Sequence, residues 1–129
     1  MKCSDSIPDF SEFPVFNPQN MEKLRSQTSG RPELLQEIIE SFLEESFEIV
    51  DEINKHSAEN NLEMLARSVH TLKGLAGTIG ASRLYQILSH VDACHKSNSF
   101  LFKDSLSETF EKNLQNLKLY FKDEGFIKA

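Results

Sequence analysis

Cysteine is scarce in this chain, basic charge is outnumbered, and no apolar stretch is long enough to span a bilayer. The two cysteines, Cys3 and Cys94, are too few for a disulfide framework or a cysteine-based metal cluster, and both are expected as free thiols. Lysine and arginine number 14 against 20 aspartates and glutamates, a formal net charge of −6, so the basic patch that a general nucleic-acid binder needs is missing. The opening Met1-Lys2-Cys3-Ser4-Asp5-Ser6 has no apolar core of the kind that marks a secretory signal. The expectation is a cytoplasmic monomer with neither nucleic acid nor membrane among its partners. Its 129 residues suit one domain with a core of its own.

Strands are lacking too: no run alternates apolar and polar residues convincingly, whereas helical periodicity is widespread. Residues 1–16, with Pro8 and Pro14 among Ile7, Phe10, Phe13, Val15 and Phe16, read as an extended lead-in, part strapped onto the domain and part disordered. Asn17-Pro18 starts a short helix that Thr28-Ser29-Gly30 breaks. Arg31-Pro32 opens a long helix to about His56, whose broad apolar face includes Leu35, Ile39, Phe42, Leu43, Val50 and Ile53. A third helix is expected from about Ala58 to Ile79, a fourth from Ser82 as N-cap, and a fifth from about Phe100 to Phe121.

Four long amphipathic helices joined by short connections predict an all-α fold, an antiparallel up-down four-helix bundle over 17–122 with the short first helix as an addition. Residues 123–129 form a C-terminal tail. The phenylalanines at 42, 47, 100, 102, 110 and 121 are assigned to packing, because aromatic residues at helical spacing are usually core.

Within the third helix, Val69-His70-Thr71-Leu72-Lys73-Gly74-Leu75-Ala76-Gly77-Thr78-Ile79-Gly80 stands out. His70, Lys73, Gly74 and Gly77 share one face, while Leu65, Val69, Leu72, Ala76 and Ile79 form another. At about 100° per residue the two stripes are centred roughly 140° apart, so the histidine looks outward. Each glycine inside a helix costs on the order of 1 kcal/mol relative to alanine, which implies a compensating use. Here that use is a shallow, open surface beside the imidazole.

These residues resemble the histidine-containing phosphotransfer (HPt) domains of multistep two-component signalling, whose pattern runs His-x-x-Lys-Gly, small residues and a further glycine. His70, Lys73, Gly74 and Gly80 stand at that spacing, and the likeness extends over roughly residues 18 to 122. It implies that His70 accepts a phosphoryl group on Nε2 from a receiver-domain phosphoaspartate and later passes it to another receiver. A neutral imidazole is a competent nucleophile near pH 7, so little activation is needed. Lys73, one turn along, is placed to offset phosphate charge, with Arg67 as a secondary candidate. The family often carries a glutamate or glutamine on the following helix to orient the imidazole. At that offset this chain has Asp92, one methylene shorter, which puts a direct hydrogen bond in question. Met64, Arg67, Thr71, Gly74 and Gly77 complete the expected receiver-docking face.

Other histidines, His56, His90 and His95, are expected as surface residues, and His90, Asp92 and His95 do not make a zinc site. Gly74, Gly77 and Gly80 fit neither phosphate-binding loop spacing, so the chain is read as a carrier without kinase activity. No cofactor is expected, any Mg²⁺ belonging to the partner receiver. Partners would be response-regulator receivers and a hybrid histidine kinase. Two rival readings stay open: a helical module that binds receivers without passing phosphate, and the phosphoacceptor domain of a chemotaxis-type kinase. Met1 and the complete bundle favour a free-standing protein.

Overall fold

The computed structural model describes residues 6–128 and is helical throughout, with no strand among the described residues. Five helices follow one another: α1 (Pro18–Gln27), α2 (Pro32–Ala58), α3 (Leu62–Ile79), α4 (Ser82–Lys96) and α5 (Leu106–Asp123). α2 packs on both α3 and α5, and α4 closes the ring by packing on α3 and α5, while α1 lies against α2. The result is a four-helix bundle with a short N-terminal helix added.

Burial of one stripe from each long helix holds the ring together. Leu65, Val69, Leu72 and Ala76 of α3 are wholly buried, as are Ile39 and Ile53 of α2, Leu88 and Val91 of α4, and Leu106, Phe110, Leu114 and Phe121 of α5. Each large side chain so placed contributes about 1.5–3 kcal/mol. Phe42 and Phe102 are buried with them, and Phe47 and Phe100 pack against this core from its edge.

Helix ends depart from the sequence expectation where the chain supplies a different cap. α3 begins at Leu62 and not near Ala58, because Asn60 takes a left-handed turn (φ 56°) and the Asn61 side chain accepts from the Met64 N–H at 3.3 Å. In α4, Ser82 is the first helical residue and not the N-cap; that position falls to buried Ala81, which offers no side-chain hydrogen bond. The Pro14 carbonyl accepts instead from the Arg83 N–H at 3.0 Å. α5 starts at Leu106 because residues 101–105 form turns that drive Phe102 into the core, with the Ser57 hydroxyl donating to the Lys103 carbonyl.

Both terminal segments pack on the bundle. Arg83 donates through Nε to the Phe13 carbonyl at 2.9 Å and through Nη2 to the Ser11 carbonyl at 3.2 Å, and Phe16 is buried. At the other end α5 runs to Asp123, Gly125 turns the chain with φ +77°, and Ile127 is buried. The expected extended lead-in is described only from residue 6.

α1 has a specific task at the end of α3. The Asn17 N–H donates to the Gly80 carbonyl at 2.8 Å, and Asn20 Nδ2 donates to the carbonyls of Ile79 at 2.6 Å and Thr78 at 3.2 Å. Terminal carbonyls that a helix leaves unpaired are thereby satisfied. Gly80, at φ +92°, must be glycine: a Cβ there would lie 2.7 Å from Asn20 Cβ.

Candidate functional site

α3 turns His70 away from the core, leaving its side chain 69% exposed, while the apolar stripe around it is buried. One turn on, Lys73 lies lower against the bundle and reaches across to α4, where its Nζ donates to Asp92 Oδ2 at 3.2 Å. Asp92 is itself only 4% exposed. Its Oδ2 also accepts from Lys96 Nζ at 3.2 Å and lies 3.8 Å from His70 Nδ1. The last separation is too long for a hydrogen bond, yet short enough for charge to act on charge. Imidazole, two ammonium groups and a carboxylate thus meet at a single oxygen.

Burial by itself raises the Asp92 carboxyl, but hydrogen bonds from Lys96 and Lys73, reinforced by their charges, outweigh it and hold the pKa below the ordinary aspartate value. Asp92 is therefore a buried anion. A shallow groove of about 420 Å³ opens beside it, with walls from Arg67, His70, Thr71, Asp92, His95 and Lys96.

The glycines of the α3 face differ. Gly74 is exposed, and a Cβ there would meet nothing within 4 Å. Gly77 is exposed on one side, but a Cβ would come within 3.1 Å of the Tyr85 ring. Its missing side chain thus lets Tyr85 of α4 lie against α3, with the ring centroid 6.0 Å from Lys73 Nζ. Met64 is exposed on the preceding turn. Arg67 pairs with Glu63 at 3.4 Å, both well exposed, and Thr71 donates its hydroxyl to the Arg67 carbonyl at 3.0 Å. All five expected docking residues lie on α3, but Arg67 is engaged along its own helix.

Two expectations are corrected, the surface histidines and the free thiol. His90 and His95 are buried, each 5% exposed, and His56 is half-buried. His90 packs between Phe10 and Phe102, and His95 stacks on Phe100 with centroids 4.4 Å apart. Neither ring nitrogen of His95 has a hydrogen-bond partner among the described residues, and burial depresses its pKa against a smaller opposing pull from Asp92. Cys94 is wholly buried and disulfide-bonded, so the expected free thiol is not found; Cys3 lies outside the described residues.

Sequence reasoning passed over Lys96 and Tyr85. Lys96 had a readable signal, since it stands four residues after Asp92 on the same helix. Tyr85 had none, because its contact depends on how α4 lies on α3. Among the described residues no group of three or more His, Cys, Asp and Glu side chains is placed to hold a metal ion, and no helix is long and apolar enough to cross a membrane.

The described residues thus form an all-helical bundle that displays His70 on the outer face of a core helix, with Lys73 one turn on and Asp92 reaching in from the next helix. The family model for the Hpt domain matches residues 37–120, and the chain belongs to that family. Histidine phosphotransfer in two-component signalling, with receiver domains and histidine kinases as interacting proteins, is what the family implies. Comparison with curated proteins and with solved structures gave no match.

Proposed function

We propose that this protein is a phosphorelay intermediate whose phosphoacceptor is His70. A receiver domain docks on the α3 face, the Nε2 lone pair attacks its aspartyl phosphate, the P–N bond forms, and the phosphorus–oxygen bond to the aspartate breaks. The proton on Nδ1 stays on the ring, and the positive charge that develops there faces Asp92. Lys73 offsets the phosphoryl charge. A second receiver's aspartate then reverses these bond changes, so the chain is carrier and substrate without kinase chemistry of its own.

The observation that carries the reading is the position of His70: exposed for an in-line approach, with Nδ1 3.8 Å from the buried Asp92 carboxylate. Met64, Thr71, Gly74 and Gly77, with Arg67 at the margin, make the docking face. No cofactor is required of this chain, and Mg²⁺ is assigned to the receiver's acidic pocket.

Incubation with a phosphorylated receiver is the test. Wild type should acquire an acid-labile, base-stable label, and His70→Gln should fold normally and acquire none. Labelling retained in the variant refutes the assignment, and a complex formed without label indicates a binding module.

A further inference from the structure

Asp92 has more cationic partners than it needs at rest. Lys73 and Lys96 both place an ammonium 3.2 Å from the same oxygen, Oδ2, although Asp92 is almost wholly buried and Lys96 is exposed over 68% of its side chain. Lys73 Nζ spends one of its three N–H groups on the carboxylate, so a phosphoryl group on His70 competes with Asp92 for the same ammonium and draws it away from this contact. A buried carboxylate stripped of its partner is costly to leave behind, so an Asp92 held by Lys73 alone would resist releasing it. The geometry points to Lys96 as a positioning residue for phosphotransfer: it keeps Asp92 paired and in place while Lys73 exchanges the carboxylate for the phosphoryl group.

This inference rests on the phosphorelay reading and adds a residue to it. In this role Lys96 acts on the reaction through Asp92, which it holds from the last turn of α4. A simpler role is also available to it, since a lysine near a helix C-terminus suits the helix dipole and an i,i+4 ion pair. The simpler role predicts a small change in stability and no change in the behaviour of Lys73. The exchange role predicts that Lys73 depends on Lys96. Ammonium groups held by carboxylates give distinct nitrogen resonances at neutral pH, which makes the dependence observable.

The experiment uses the full chain, phosphorylated with a small phosphoramidate donor, in wild type, Lys96→Gln and Lys96→Arg. In wild type the Lys73 ammonium resonance should move on phosphorylation while that of Lys96 keeps its carboxylate-bound character. In Lys96→Gln the Lys73 resonance should stay at its resting position, and transfer from a receiver should slow about fivefold, a typical size for coupled neighbours. Lys96→Arg should restore both. The inference is overturned if Lys73 does not respond in wild type, if it moves equally in Lys96→Gln, or if the Gln variant transfers at the wild-type rate. Failure of wild type to take label at His70 would instead remove the phosphorelay reading itself.

Discussion

Asp92 Oδ2 lies 3.8 Å from His70 Nδ1 across the α3–α4 contact, bringing a buried carboxylate to the inner nitrogen of an exposed imidazole. The shorter aspartate arm accounts for the gap. What it loses in hydrogen bonding it keeps in electrostatics, because its two lysine partners hold it charged.

Asp92→Asn is expected to lower stability by about 1–2 kcal/mol near pH 7, between the values for exposed and buried ion pairs, since Asp92 is buried but Lys96 is not. The folded pKa lies below the ordinary 3.8, so this contribution is complete above that value and disappears as pH falls through the folded pKa. Urea unfolding of both proteins across that range checks the sign: the two curves should converge in acid.

His95 predicts a second pH dependence at higher pH. Its folded pKa lies below the ordinary 6.5, so the unfolded chain takes up the proton first and stability declines as pH drops from 6.5 through the folded value. Replacing it with phenylalanine, which can keep the stack on Phe100, should flatten the profile between pH 7.5 and 5. An unchanged slope in thermal unfolding of His95→Phe would assign the effect to other groups.

Gly74→Ala and Gly80→Ala should move stability in opposite directions. The first adds a methyl in open space within a helix and is expected to stabilise by about 0.5–1 kcal/mol. It should remain labelled by a small phosphoramidate donor yet accept more slowly from a receiver, if the docking face is as proposed; equal rates from both donors would remove Gly74 from that face.

Gly80→Ala forces a strained left-handed alanine against Asn20 and should cost about 1–3 kcal/mol. Because Asn20 satisfies the last carbonyls of α3, fraying of that helix end should appear as faster amide exchange near residues 78–81.

Much of this molecule was legible before any coordinates. Four apolar stripes of helical period fix four core-facing helices, since burying them is the largest favourable term available to the chain. The same periodicity places Leu65, Val69 and Leu72 on the inside of α3 and His70, Lys73 and Gly74 on the outside, where their one-face grouping is a property of local helix geometry alone.

Contacts between helices were a different matter. Whether Asp92 reaches His70, and that it draws Lys73 and Lys96 to one oxygen, depends on the rotation and depth of α4 against α3, which no local spacing encodes. The burial of His90 and His95 has the same origin: strap and connecting loop bring Phe10, Phe102 and Phe100 over polar rings that periodicity alone leaves at the surface. The sequence determined the bundle and the histidine that faces out of it, because both follow from the helical repeat. Only the tertiary structure decided which charges meet beneath that histidine, because those contacts require two helices to be packed before they exist.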